Sequence, residues 1–310
     1  MLLTDSNIDK LLNYNGPIAV DTETVTLKDK NVVGIGIAIN SQEAFYLPTL
    51  PDTPPLLKPV MEILADKDRT KYYHNATYDI ESLRLISSQE NLPEPDVWNI
   101  QDTLIMAHIN GRRAGLNSLG KELLGWTHLF SIADIVQEYA DAGGKTRGIT
   151  MLDVDQDRLA EKCCNDAKTT FAIKESLTRR LLPEQRDCYE KDIRVLSILK
   201  EIEKRGFLLD KTVVTRHYIQ LKRRVSSYRA ICEQQYGFNP GSAKQIGEIL
   251  QARGNILPLT RSKKSFATDK KVLLELDDYL ADIILRYKGD KKLLSTYVEP
   301  VLGLHRAYTH

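Results

Sequence analysis

A chain of 310 residues, with 42% hydrophobic and 27% charged residues, has the composition of an ordinary soluble protein long enough for two domains with sizeable cores. No run approaches the roughly 18 apolar residues of a membrane span, and residues 1–5 turn polar too soon for a signal peptide, so a cytoplasmic protein without a membrane partner is expected. The net charge of +1 conceals an asymmetry: 24 Lys and Arg against 15 Asp and Glu lie from Gln185 onward (+9), leaving 19 against 27 before it (−8). Such a division suits a protein that holds a polyanion with one half and cuts it with the other, and equally a helical domain with solvated basic faces. The four cysteines, Cys163, Cys164, Cys188 and Cys232, show no C-x-x-C metal spacing and are expected as free thiols.

The chain begins as mixed α/β. Residues 17–24 and the alternating residues 31–39 predict neighbouring strands joined by the charged turn at residues 28–30, and residues 44–47 predict a third, completing a meander. Residues 56–64 are expected as helix, 71–73 as strand and 78–86 as helix, and after a proline-marked loop comes a short segment at 98–101. Further helices are predicted over 103–108, 116–124 and 132–139. A glycine-marked loop at residues 143–145 follows, then one long helix over 155–182. A boundary is expected near Pro183, giving domains 1–183 and 184–310. Beyond it the pattern is helical almost throughout. Ile193, Leu196, Leu199 and Ile202 recur along one helix that stops at Gly206, residues 213–236 form a second, and Ser242 is a plausible N-cap of a third, suited to a phosphate.

Chemistry concentrates at three places. Asp21 and Glu23 leave the first strand on one side, because residues alternate sides along a strand. Two like carboxylates repel unless a cation lies between them, and the usual occupant is a hard divalent metal bound through oxygen. The stretch from Lys71 to Asp79 turns at Asn75 from strand to helix and puts Asp79 in a first helical turn. Asp166 interrupts a small, apolar helix face, where a carboxylate without a partner is costly.

Asp-x-Glu after a strand, Asn75-x-x-Tyr78-Asp79 about 55 residues on and Asp166 in a helix about 90 residues further resemble the four-carboxylate 3′–5′ exonucleases. The likeness is greatest to the proofreading domain of family-A DNA polymerases. After the boundary, residues 237–250, 265–269 and 288–297 are similar to the thumb of the same polymerases. The resemblance implies a ribonuclease-H-like exonuclease domain with a mixed sheet, followed by a mainly α-helical, thumb-like domain. It further implies two divalent ions, Mg²⁺ or Mn²⁺, held by Asp21, Glu23, Asp79 and Asp166. Thr22, Asn75 and Tyr78 become candidate substrate contacts, and Ser242, Lys288, Lys291 and Lys292 candidate contacts to DNA. Trp98 and Trp126 are expected in packing rather than base stacking. In the family the chain would continue into palm and fingers, so a piece of a longer chain, or one product of a split gene with a separate palm and fingers chain, is expected.

Lys162 departs from the family pattern, which has a tyrosine four residues before the last carboxylate. It lies one helical turn from Asp166 and can reach the same site. Its ammonium donates but cannot accept, so it could orient water, pair with Asp166 in competition with metal, or act as a base if desolvated. Two rival functions remain: a DNA-holding module with a silent nuclease site, and an RNA exonuclease like ribonuclease D, against which the thumb-like half argues.

Overall fold

Period-two alternation of small and branched apolar residues builds the centre of the sheet. After helix α1 (Ile8–Leu12), strand β1 (Ile18–Thr24) pairs antiparallel with β2 (Val32–Ala38), which pairs antiparallel with β3 (Ala44–Pro48). Helix α2 (Leu57–Ala65) leads to β4 (Lys71–Tyr73), parallel to β1, and α3 (Ala76–Glu90) leads to β5 (Ile100–Asp102), parallel to β4. The sheet order β3-β2-β1-β4-β5 is the expected meander with two parallel strands added. In this computed structural model, residues 1–113, 115–260 and 265–304 are described, with the backbone of 306–307.

The two faces of β1 go to different layers. Ile18 and Val20 enter a core with Leu57 and Leu64 of α2 and Ile80 and Leu83 of α3. Ala19 faces the other way, into a cluster with Ala38, Ala44, Cys163 and Ala167. Short side chains on that face let a helix approach closely. After α4 (Thr103–Ile109), α5 (Leu116–Leu124) and α6 (Ile132–Asp141), that helix is the long α7 (Gln156–Arg180), which crosses β1, β2 and β3. The approach is close at Gly36, where a Cβ would lie 2.8 Å from Cys163 Sγ and 2.9 Å from the Cys163 carbonyl oxygen. Gly36 pairs with Asp21 in the β1–β2 register, so the glycine that admits α7 sits beside the first carboxylate.

Helix α8 (Pro183–Arg205) starts where the composition changes, but the first compact unit runs on to Ile202. The reason is packing: Tyr189, Ile193 and Ser197 are buried, the Tyr189 hydroxyl accepts from Asp102 N at 2.9 Å, and Ser197 Oγ donates to the Val97 carbonyl at 2.6 Å. The expected stripe through Leu199 and Ile202 is exposed. Steps of three residues fall behind a helix of 3.6 residues per turn, so the stripe rotates away from the face that Tyr189 and Ile193 set.

The second unit, Glu203–His310, contains α9 (Lys211–Tyr236), α10 (Ala243–Ala252), α11 (Lys270–Leu274), α12 (Tyr279–Lys292) and a π-helical turn at Leu293–Val298. Strands β6 (Phe207–Leu208) and β7 (Arg306–Ala307) pair within it. Phe238, Ile246, Leu250, Leu280 and Ile284 form its core. Two Arg–Asp pairs fasten its helices, Arg224 to Asp290 and Arg253 to Asp278, the second through both carboxylate oxygens at 2.9 and 3.0 Å. All four cysteines are free, Cys188 being the exposed one.

Candidate active site

Asp21 and Glu23 stand on the α7 face of β1, as their spacing predicts, while Thr22 between them points to α3. There the Thr22 backbone N–H and hydroxyl both donate to Asp79 Oδ1, at 3.0 and 2.8 Å. The strand therefore presents two carboxylates on one side and fixes a third from the other. Asp79 is buried in the first turn of α3, as expected. Burial raises its pKa to about 7, with the Thr22 hydrogen bonds acting in the opposite direction.

Asn75 opens α3 in the left-handed region at φ 81°, a conformation asparagine tolerates better than most residues. Its side chain is exposed and makes no cap bond. The cap comes from Asp102, a residue that sequence reasoning missed. Asp102 Oδ2 accepts from Ala76 N at 2.7 Å, and Oδ1 from Leu104 N at 2.7 Å, so one buried carboxylate starts both α3 and α4. The signal was present: an acidic residue directly before a helical run is an N-cap pattern. The Tyr78 hydroxyl pairs with Thr24 Oγ1, and Lys30 Nζ lies 5.2 Å from the Tyr78 ring centroid, which places this ring at the exit of β1.

The fourth carboxylate, Asp166, and Lys162 come from α7. Lys162 Nζ donates to Asp166 Oδ2 at 2.6 Å and to Glu23 Oε1 at 3.0 Å, so the lysine reaches the site and bridges two of the four carboxylates. Burial alone would lower the Lys162 pKa, but the charges of Glu23, Asp166 and Asp21 hold it well above the ordinary lysine value.

Burial pushes the Asp21 carboxyl well up, reinforced by Asp166, Glu23 and Asp79 and opposed by Lys162. Burial likewise raises Glu23, against the pull of Lys162. Asp21 Oδ2 is buried without a hydrogen-bond partner among the described residues. Ligand atoms of Asp21, Glu23 and Cys163 lie within 4.8 Å of one another. Burial pushes the Cys163 thiol well up, which disfavours the thiolate, and the donors here suited to a hard cation are carboxylate oxygens. An orphaned carboxylate oxygen among hard oxygen donors fits a divalent ion such as Mg²⁺ or Mn²⁺.

In the second unit, Ser242 caps α10 by accepting from Gln245 N. Lys291 Nζ lies 5.5 Å from the Tyr287 ring centroid and would be 3.6 Å from a Cβ at Gly241, so its ammonium sits beside the residue preceding that cap. Lys292 is exposed, whereas Lys288 is half-buried and donates to the Thr268 carbonyl at 2.6 Å. Trp98, expected in packing, is 57% exposed, and Trp126 is half-buried with its ring 5.4 Å from that of His128.

The 3′-5′ exonuclease family model of DNA polymerase A matches residues 3–182. The DNA polymerase I of Pseudomonas aeruginosa is 27% identical over 91% of this chain and 32% of its own length, and that of Treponema pallidum is 25% identical over 94% and 33%. The chain thus spans about a third of the length of these curated relatives. The solved POL domain of Pol1 from M. smegmatis, in complex with DNA primer-template and dNTP, shares the fold with a TM-score of 0.60 at 16% identity, covering 97% of this chain and 50% of that one. A family match over more than half the chain, with Asp21, Glu23, Asp79 and Asp166 inside it, makes this chain a member of the DNA polymerase A 3′-5′ exonuclease family.

Proposed function

We propose that this chain removes nucleotides from single-stranded 3′ ends of DNA by metal-dependent phosphodiester hydrolysis, as the proofreading part of a family-A polymerase. The observation that carries the reading is the acidic cluster at Asp21: Glu23 of the same strand, Asp79 of α3 and Asp166 of α7 all act on its charge, and its buried Oδ2 has no hydrogen-bond partner among the described residues. Asp21, Glu23 and Asp166 would hold one ion, with Asp79 contributing to a second, and Mg²⁺ or Mn²⁺ suits the oxygen donors. Such ions supply Lewis acidity and an activated water for the displacement at phosphorus. The protein's own part is positioning. Thr22 locks Asp79, the glycine at position 36 lets α7 bring Asp166 to β1, and Tyr78 and Asn75 border the strand exit where a terminal nucleotide would lie.

In the second unit Ser242, Lys291 and Lys292 are proposed to grip duplex phosphates, and the polymerase half is proposed to reside in further chain or in a separate palm and fingers subunit. Bacterial and phage polymerases among the relatives support a site of action in the cytoplasm of a bacterial or phage-infected cell. The test is a 5′-labelled oligonucleotide with a single-stranded 3′ tail, incubated with Mg²⁺ or Mn²⁺. Stepwise shortening that Asp21→Ala abolishes supports the reading. Retained binding without shortening would favour a DNA-holding module with a silent site, the alternative that the Lys162 contacts to Glu23 and Asp166 recommend.

A further inference from the structure

We propose that Lys162 is a resident cation of the carboxylate cluster, which holds Glu23 and Asp166 together and competes with the metal ion that those two residues would share with Asp21. The proposal rests on the exonuclease reading above and concerns how that site is loaded.

Three observations carry it. Lys162 is 9% exposed and its ammonium touches both carboxylates, Asp166 Oδ2 at 2.6 Å and Glu23 Oε1 at 3.0 Å. A single nitrogen within hydrogen-bond distance of oxygens from two elements does the electrostatic work of a bound cation. Asp21, by contrast, keeps one buried oxygen with no partner among the described residues, although it lies beside Glu23. The cluster thus holds one positive charge at its Glu23–Asp166 edge and leaves Asp21 unsatisfied.

A divalent ion entering at Asp21 meets an open oxygen. An ion needing Asp166 and Glu23 must displace an ammonium already bonded to both, or share the edge with it against charge repulsion. The tether favours the ammonium, because a side chain fixed one turn from Asp166 pays no loss of translational freedom when it rebinds. Loading is therefore unequal: one ion binds readily and the other against competition.

The test is Mn²⁺ binding to the full chain, without DNA, followed by electron paramagnetic resonance and titration calorimetry. Wild type should take up one Mn²⁺ tightly and a second only at concentrations on the order of tenfold higher or more, given the size of charge–charge interactions near a protein surface. Lys162→Met and Lys162→Gln should bind the second ion on the order of tenfold more tightly than wild type, whereas Lys162→Arg, which keeps the charge, should resemble wild type. Metal-free Lys162→Met should also melt lower than wild type, with saturating Mn²⁺ restoring it. Equal affinity and stoichiometry in wild type, Lys162→Met and Lys162→Gln would overturn the proposal. Two equally tight ions in the wild type would do the same, whether or not a variant folds. Asp21→Asn separates this from the underlying reading: Mn²⁺ uptake indifferent to Asp21→Asn would sink the metal site itself, while uptake indifferent only to the Lys162 variants would sink the resident cation alone.

Discussion

Lys162 Nζ lies 3.0 Å from Glu23 Oε1, joining residues 139 positions apart in the chain and tying α7 to β1 through the middle of the acidic cluster. A buried ion pair of this kind contributes little net stability, because both charges leave water, but removing one partner leaves the other uncompensated. Its consequence is for the site's charge: one cation faces a group of carboxylates whose burial already disfavours ionisation.

Asp21→Ala should abolish hydrolysis of a 3′ tail while leaving the metal-free melting temperature unchanged or raised. The Asp21 carboxyl is held well above its ordinary pKa by burial and by Asp166, Glu23 and Asp79, so deleting it relieves desolvation and repulsion together. Calorimetry in chelator beside a nuclease assay checks both halves; a large fall in melting temperature would make Asp21 structural.

Stability without metal should fall as pH rises from about 4 to about 7. Asp79 has a folded pKa of about 7 against an ordinary 3.8, so across that interval the native state holds a proton that the unfolded chain has lost. A group raised in this way favours the fold while it is protonated, and that advantage disappears as pH approaches its folded pKa. The slope attributable to Asp79 is at most about 1.4 kcal/mol per pH unit. Urea midpoints of wild type and Asp79→Asn in chelator at pH 5 and 7.5 measure it; Asp79→Asn should show the smaller decline, and equal declines would exclude Asp79 as its source.

Asp102→Ala should destabilise the first unit by about 2–3 kcal/mol, since it removes the caps of two helices at a buried position. Activity should fall as well, because α3 carries Asp79. Denaturant unfolding gives the first effect, and a loss below about 0.5 kcal/mol would show that other groups cap α3 and α4.

Gly36→Val should separate α7 from β2, because the first added carbon already meets the Cys163 sulfur and carbonyl below 3 Å. A cost of about 1–3 kcal/mol is typical of such overpacking. Turnover should drop more than DNA affinity, since Asp166 moves with α7 while the second unit is untouched. Parallel losses in turnover and affinity would contradict this division.

Lys291→Ala combined with Lys292→Ala should weaken primer-template binding and lower the slope of log K against log salt by about 2, near 1 per lost phosphate contact. Lys288→Ala should change the slope less, its ammonium being bonded to the Thr268 carbonyl. Fluorescence anisotropy across a salt series distinguishes them, and an unchanged slope in the double variant would return both lysines to solvated surface.

Much of the site was legible before the fold was known, because it depends on local geometry. Strand alternation put Asp21 and Glu23 on one side, a turn at Asn75 put Asp79 in a first helical turn, and helical spacing put Lys162 within reach of Asp166. The meander and the long last helix of the first unit were likewise readable from apolar periodicity. What sequence could not decide were relationships between elements distant in the chain. Which partner Lys162 takes besides Asp166 depends on how far α7 descends onto β1, and that depth is set by Gly36 opposite Asp21 and by Ala19, Ala38 and Ala44 around it. Thr22 reads as a candidate substrate contact until Asp79 is found against it, and Asp102 as a residue between two expected elements until α3 is found starting on its other oxygen. The extent of the first unit was hidden for the same reason. Composition changes at Pro183, but burial of Tyr189, Ile193 and Ser197 carries the unit to Ile202, because a helix belongs to whichever core its buried side chains enter.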